Sequence, residues 1–106
     1  MPHTWSKKMY NLIYLQKALD DLDELNFYIS QDDICAADKM VSSILDAVEN
    51  LTAFPFIGSS VNERLELRGE YRMIVVTPYL VFYRVIGKNV TIYRVLHSRR
   101  YHGALL

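Results

Sequence analysis

Two runs of apolar residues at helical spacing, separated by a few polar residues, constrain this chain more than any other feature. Ala18, Leu22, Leu25 and Ile29 are spaced by four, three and four, which places them on one face of a first helix. Ala37, Val41, Ile44, Val48 and Leu51 repeat the pattern in a second helix. Between them, Ser30-Gln31-Asp32-Asp33 is a polar break whose aspartates suit the start of the second helix. So short a connection predicts that the two helices pack antiparallel as a hairpin. The acids Asp20, Asp21, Asp23 and Glu24 are expected on the outward side and in the early turns, where they suit the positive end of the helix dipole. Pro55 is expected to end the second helix, and Gly58 to permit a sharp reversal.

The remainder reads as β structure. Tyr10 to Leu15, ahead of the helices, is short and rich in aromatic and β-branched residues, as a strand is. Behind them, Leu67 to Val76 is a strand that turns at Thr77-Pro78. Tyr79 to Ile86 follows, then the tight turn Gly87-Lys88-Asn89 and a last strand from Val90 to His97. The order β-α-α-β-β-β predicts an α+β domain, with the helix hairpin packed on a mainly antiparallel sheet. A chain of 106 residues has material for one core. Residues 1–106 are therefore read as one domain, with residues 1–8 a flexible extension of it.

Composition excludes several classes. Hydrophobic residues make up 51% of the chain, too many for general disorder. No apolar run approaches the roughly 18 residues that span a bilayer, so no membrane contact is expected. The opening residues lack the apolar stretch of a signal peptide. Cys35 is the only cysteine, which excludes an internal disulfide and fits a reducing, cytoplasmic setting; on a helix it is expected to act as a small apolar filler. Trp5 carries no assignment. The net charge is zero but unevenly spread. Nine acids between Met9 and Ser60 face only Lys17 and Lys39, whereas beyond Val61 eight Lys and Arg residues face Glu63, Glu66 and Glu70. That asymmetry points to an anionic partner for the second half, either nucleic acid or an acidic protein segment; the plainer alternative is two halves of one domain that neutralise each other.

Several local sequences, in this order, resemble the RelE/ParE toxin superfamily. They are Ala18-Leu19-Asp20-Asp21-Leu22 with Tyr28-Ile29, Ala36-Ala37-Asp38-Lys39, Leu51-Thr52-Ala53-Phe54-Pro55-Phe56-Ile57-Gly58, Tyr79-Leu80-Val81-Phe82-Tyr83-Arg84-Val85 and Val95-Leu96-His97-Ser98-Arg99-Arg100. The resemblance implies a stress or plasmid-maintenance toxin of a type II toxin–antitoxin pair, neutralised by a cognate antitoxin with an extended C-terminal segment. RelE-like members are mRNA interferases that act on messenger RNA in the ribosome; ParE-like members poison DNA gyrase. A third possibility is a non-toxic family member that only binds its antitoxin. A homodimer and a heterotetramer with the antitoxin are both admitted, and no metal or cofactor is expected.

Cleaving RNA with its own 2′-hydroxyl needs a base, cations to stabilise charge on phosphorus, and a donor for the leaving oxygen. The catalytic candidates are Glu63 or His97 as base, Arg99 as phosphate clamp and Tyr101 as donor, with His102 as the alternative donor. Arg68, Arg72, Arg100 and His102 are candidates for phosphate or antitoxin binding. Each has a plainer alternative: Glu63 a solvated loop acid, Arg72 a partner of Glu66 or Glu70, His97 a structural histidine bonded to backbone. Tyr79, Tyr83 and Tyr93 read as packing residues. One departure matters: RelE-like nucleases carry an arginine where this chain has Leu80, and losing it costs a phosphate-stabilising cation. Leu80 and the long helix hairpin pull toward ParE. Glu63 and the C-terminal Arg/Tyr/His cluster pull toward RelE, and the reading preferred from sequence is RelE-like cleavage.

Overall fold

The structure is a computed structural model that describes residues 9–61 and 70–100, without the Arg100 side chain. Its elements are β1 (Asn11–Tyr14), α1 (Gln16–Ser30), α2 (Ile34–Asn50), β2 (Ser59–Ser60), β3 (Tyr71–Val76), β4 (Tyr79–Ile86) and β5 (Asn89–His97). The strands form one sheet in the order β1-β5-β4-β3-β2. β1 runs parallel to β5, with Asn11 opposite Asn89, and the other pairings are antiparallel. The α+β architecture expected from the periodicity is therefore the one observed. The described residues include no helix long and apolar enough to cross a membrane.

The helix hairpin is packed on one face of the sheet. Ala18, Leu22 and Leu25 of α1 and Ile44 and Val48 of α2 are buried against Val81, Tyr83, Val90, Ile92 and Val95. The apolar stripe and the alternation of the strands thus meet in one core. Asp33 caps α2 by accepting from the Ala36 amide at 3.1 Å. A two-residue turn at Gly87-Lys88 joins β4 to β5, and Gly87 takes a φ of 60°, open to glycine without a Cβ clash. On the opposite face Val61, Leu80, Phe82 and Leu96 form a smaller buried cluster.

Several expectations need correction. Asp21 is not on the outward side but only 8% exposed, because it falls between Ala18 and Leu25 on the buried face of α1. The first turn of α1 holds no acid, since the helix starts at Gln16, ahead of Asp20. α2 stops at Asn50, before Pro55 is reached. Gly58 is needed for space: a Cβ there would lie 2.6 Å from Tyr83 Oη and 2.8 Å from the Met73 carbonyl oxygen. Cys35 is exposed and fills no gap. β1 is shorter than Tyr10 to Leu15 and β3 begins at Tyr71; residues 62–69, which include the expected start of that strand, lie outside the described residues. β2 had no counterpart in the sequence reading.

A register shift in the β4–β5 ladder decides what faces α1. Phe82 lies opposite Arg94 while Tyr83 lies opposite Ile92, so β5 carries one extra residue, Tyr93. Before the bulge Val90 and Ile92 belong to the helix-side core; after it Val95 does. His97, in phase with Val95, is thereby brought to the α1 side.

Candidate functional site

At the end of the sheet where β5 stops, a cleft of about 380 Å³ opens between α1 and the strand ends. Leu25 and Tyr28 of α1, Tyr79 of β4 and Leu96 of β5 give it an apolar and aromatic lining. Glu24, His97 and Arg99 add polar groups. Tyr28 is 73% exposed at the rim of the cleft. Burial, with Tyr28 nearby, pushes the Tyr79 phenol above its ordinary value.

The wall of this cleft is tied together by a nearly buried ion pair. Arg94 Nε and Nη2 donate to the two Asp21 carboxylate oxygens at 2.8 and 3.0 Å, and the Val95 amide donates to Asp21 Oδ2 at 2.9 Å. One carboxylate thus receives three hydrogen bonds and fastens α1 to β5. The bond to Asp21 raises the Arg94 guanidinium above its ordinary value, against the opposing effect of burial. Sequence reasoning missed this pair. The available signal was the phase of Asp21, which sits among Ala18, Leu22 and Leu25; an acid on a buried stripe requires a partner.

His97 and Arg99 are together at the cleft. The His97 ring meets Tyr79 edge-on, with centroids 5.3 Å apart and an interplanar angle of 80°. Ser98–Arg100 form a short 3₁₀ turn directly after β5. Arg99 is exposed and, among the described residues, forms no ion pair.

Arg72 is not part of this arrangement. The ladder places Arg72 opposite Tyr83, and Val76 opposite Tyr79, which in turn lies opposite His97. Four residues along the strand and two strands across amount to a Cα separation on the order of 16 Å. Its guanidinium is also engaged. Nη1 donates to the Gly58 and Phe56 carbonyls at 2.8 and 3.2 Å, Nη2 pairs with Glu70 at 2.9 Å, and the group lies 5.1 Å from the Phe56 ring centre. Beside it, the fully buried Tyr83 donates to the Pro55 carbonyl at 2.7 Å and accepts from the Gly58 amide at 2.9 Å. Burial pushes the Tyr83 phenol up, while the Gly58 amide and Arg72 pull it down.

Glu63, Arg68, Tyr101 and His102, the Arg100 side chain and Trp5 lie outside the described residues. Tyr79 and Tyr83 are buried packing residues, as expected, and Tyr93 is half-buried edge-on to Tyr71. Leu80 is buried in the smaller cluster, with no cation in its place. No three His, Cys, Asp or Glu side chains come together among the described residues as a metal site requires.

Comparisons with known proteins agree with this architecture. A family model described as the ParE toxin of the type II toxin–antitoxin system parDE matches residues 12–101. Toxin RelE2 of Caulobacter vibrioides is 29% identical over 92 residues, covering 87% of this chain and 99% of that protein. The putative toxin Y4kP of Sinorhizobium fredii is 34% identical over 86 residues, covering 79% of this chain and 83% of that protein. Among solved structures, the chromosomal ParDE toxin–antitoxin system from P. aeruginosa superposes with a TM-score of 0.69 at 27% identity. That match covers 84% of this chain and 96% of the other.

Proposed function

The chain belongs to the ParE toxin family, within the RelE/ParE superfamily of type II toxin–antitoxin systems, and from that premise we propose that it arrests growth as a ParE-like poison of DNA gyrase. The observation that carries this reading is the ParE toxin match across residues 12–101. It reverses the preference for RNA cleavage drawn from sequence. Geometry supports the reversal: Arg72 is bound to its own loop and far from His97, and Leu80 contributes no cation. A nuclease needs its base, donor and phosphate clamps around one phosphate. A poison that acts by binding needs a shaped surface instead, and the α1–β5 cleft with its aromatic rim and exposed Arg99 provides one. Arg99 is proposed as the charged contact, and a cognate antitoxin as the neutralising partner.

RNA cleavage stands as the second reading, because the exposed Arg99 lies at the cleft as a phosphate clamp requires. Induced expression separates the two readings. Gyrase poisoning predicts loss of supercoiling activity with transcript ends unchanged; new ends within translated codons alongside unimpaired gyrase would reject it.

A further inference from the structure

We propose that His97 is a positioning residue, whose Nδ1 accepts the hydrogen bond that fixes the backbone presenting Arg99 at the mouth of the cleft. The Arg99 amide donates to His97 Nδ1 at 3.1 Å. A ring nitrogen that accepts a hydrogen bond carries no proton, so the proton of the neutral imidazole sits on Nε2. The first amides of a helical turn have no partner within the turn itself. Both of those following His97 are nevertheless anchored here. Ser98 donates to the Pro78 carbonyl at 2.9 Å, which ties the turn to the β3–β4 hairpin, and Arg99 donates to His97.

The motif is an imidazole version of the turn in which an aspartate or asparagine oxygen accepts from the amide two residues on. The edge-on contact with Tyr79 holds the ring in the orientation that such an acceptor needs. With Nδ1 occupied and Nε2 protonated, the imidazole has no free lone pair in the ring plane with which to take a substrate proton. His97 therefore acts through Arg99. This inference rests on the proposed role of Arg99 but is indifferent to which macromolecule the cleft contacts.

Side-chain geometry supplies the test. In His97→Asn the amide oxygen stands at the same number of bonds from the backbone as Nδ1, so it restores the acceptor. In His97→Gln the oxygen is one bond further out, at the level of Nε2. Long-range ¹H–¹⁵N correlation spectra of the full-length protein should report His97 as the Nε2–H tautomer. Growth arrest at matched expression should be within about twofold of wild type for His97→Asn. It should fall by about two- to tenfold for His97→Gln and His97→Ala, the span of one lost hydrogen bond. A protonated Nδ1 would overturn the proposal. So would equal potency of the Asn and Gln variants, whether both are retained or both lost. The tautomer is read without any target present, so its result stands apart from the fate of the gyrase reading.

Discussion

The two ends of the helix-facing surface of the sheet carry similar residues and do different things. At one end Arg72 and Tyr83 turn inward and spend their hydrogen bonds on the carbonyls and amide of residues 55–58. At the other end the inward-facing charges, Asp21 and Arg94, satisfy one another, which leaves Arg99, Tyr28 and the His97 edge around an open cleft. A cation whose donors are already bound locks a loop; a cation left in solvent beside an apolar lining can recognise a partner. Side-chain type does not separate the two cases. The carbonyls within reach do.

Breaking the open end should give the largest effect. Asp21→Ala removes the carboxylate that accepts from both the Arg94 guanidinium, only 17% exposed, and the Val95 amide. Loss of a nearly buried pair by removing one member costs about 3–5 kcal/mol, so denaturant titration should show a large drop in midpoint. A loss below about 1 kcal/mol would mean that the pair does not hold α1 to β5. The closed end should respond next. Tyr83→Phe leaves the Gly58 amide and the Pro55 carbonyl unpaired in the interior, at a cost of about 2–4 kcal/mol in the same titration. Arg72→Ala should be milder, about 1–2 kcal/mol, because two of its three partners, Glu70 and the Phe56 carbonyl, are exposed and regain water. Once folded, that variant should arrest growth as the wild type does.

The smallest effect is a dependence on alkaline pH. Burial raises the Tyr83 phenol in the folded state. Its contribution to stability is therefore complete below the unfolded value of about 10 and is lost as pH rises through the folded value. Denaturant titrations above pH 10 should show a steeper loss of stability in wild type than in Tyr83→Phe. Equal slopes would mean that the phenol is not confined as described.

What was legible in the sequence follows from how local each signal is. β4 is bounded by Pro78 and Gly87 and matches its expected limits of Tyr79 to Ile86, because both boundaries are set by backbone chemistry at those residues. The helix stripes and the Asp33 cap are equally local. β2 was not legible: Ser59–Ser60 has no strand character of its own and pairs only because β3 offers an edge opposite Met73 and Arg72. The Asp21–Arg94 pair joins residues 73 apart, and hydropathy alone does not announce that an acid in phase with a stripe will find its base in the last strand. Arg72 and Arg99 read alike for the same reason. What separates them is the carbonyls of Phe56 and Gly58, 16 and 14 residues from Arg72, and a bulge at Tyr93 that turns His97 toward α1.

The division between a closed and an open end is tested most directly by DNA gyrase supercoiling with purified toxin, comparing wild type, Arg72→Ala and Arg99→Ala at equal concentrations of folded protein. Inhibition by wild type and Arg72→Ala together with its loss in Arg99→Ala is the expected pattern. Full inhibition by Arg99→Ala with none by Arg72→Ala would place the working surface at the other end of the sheet.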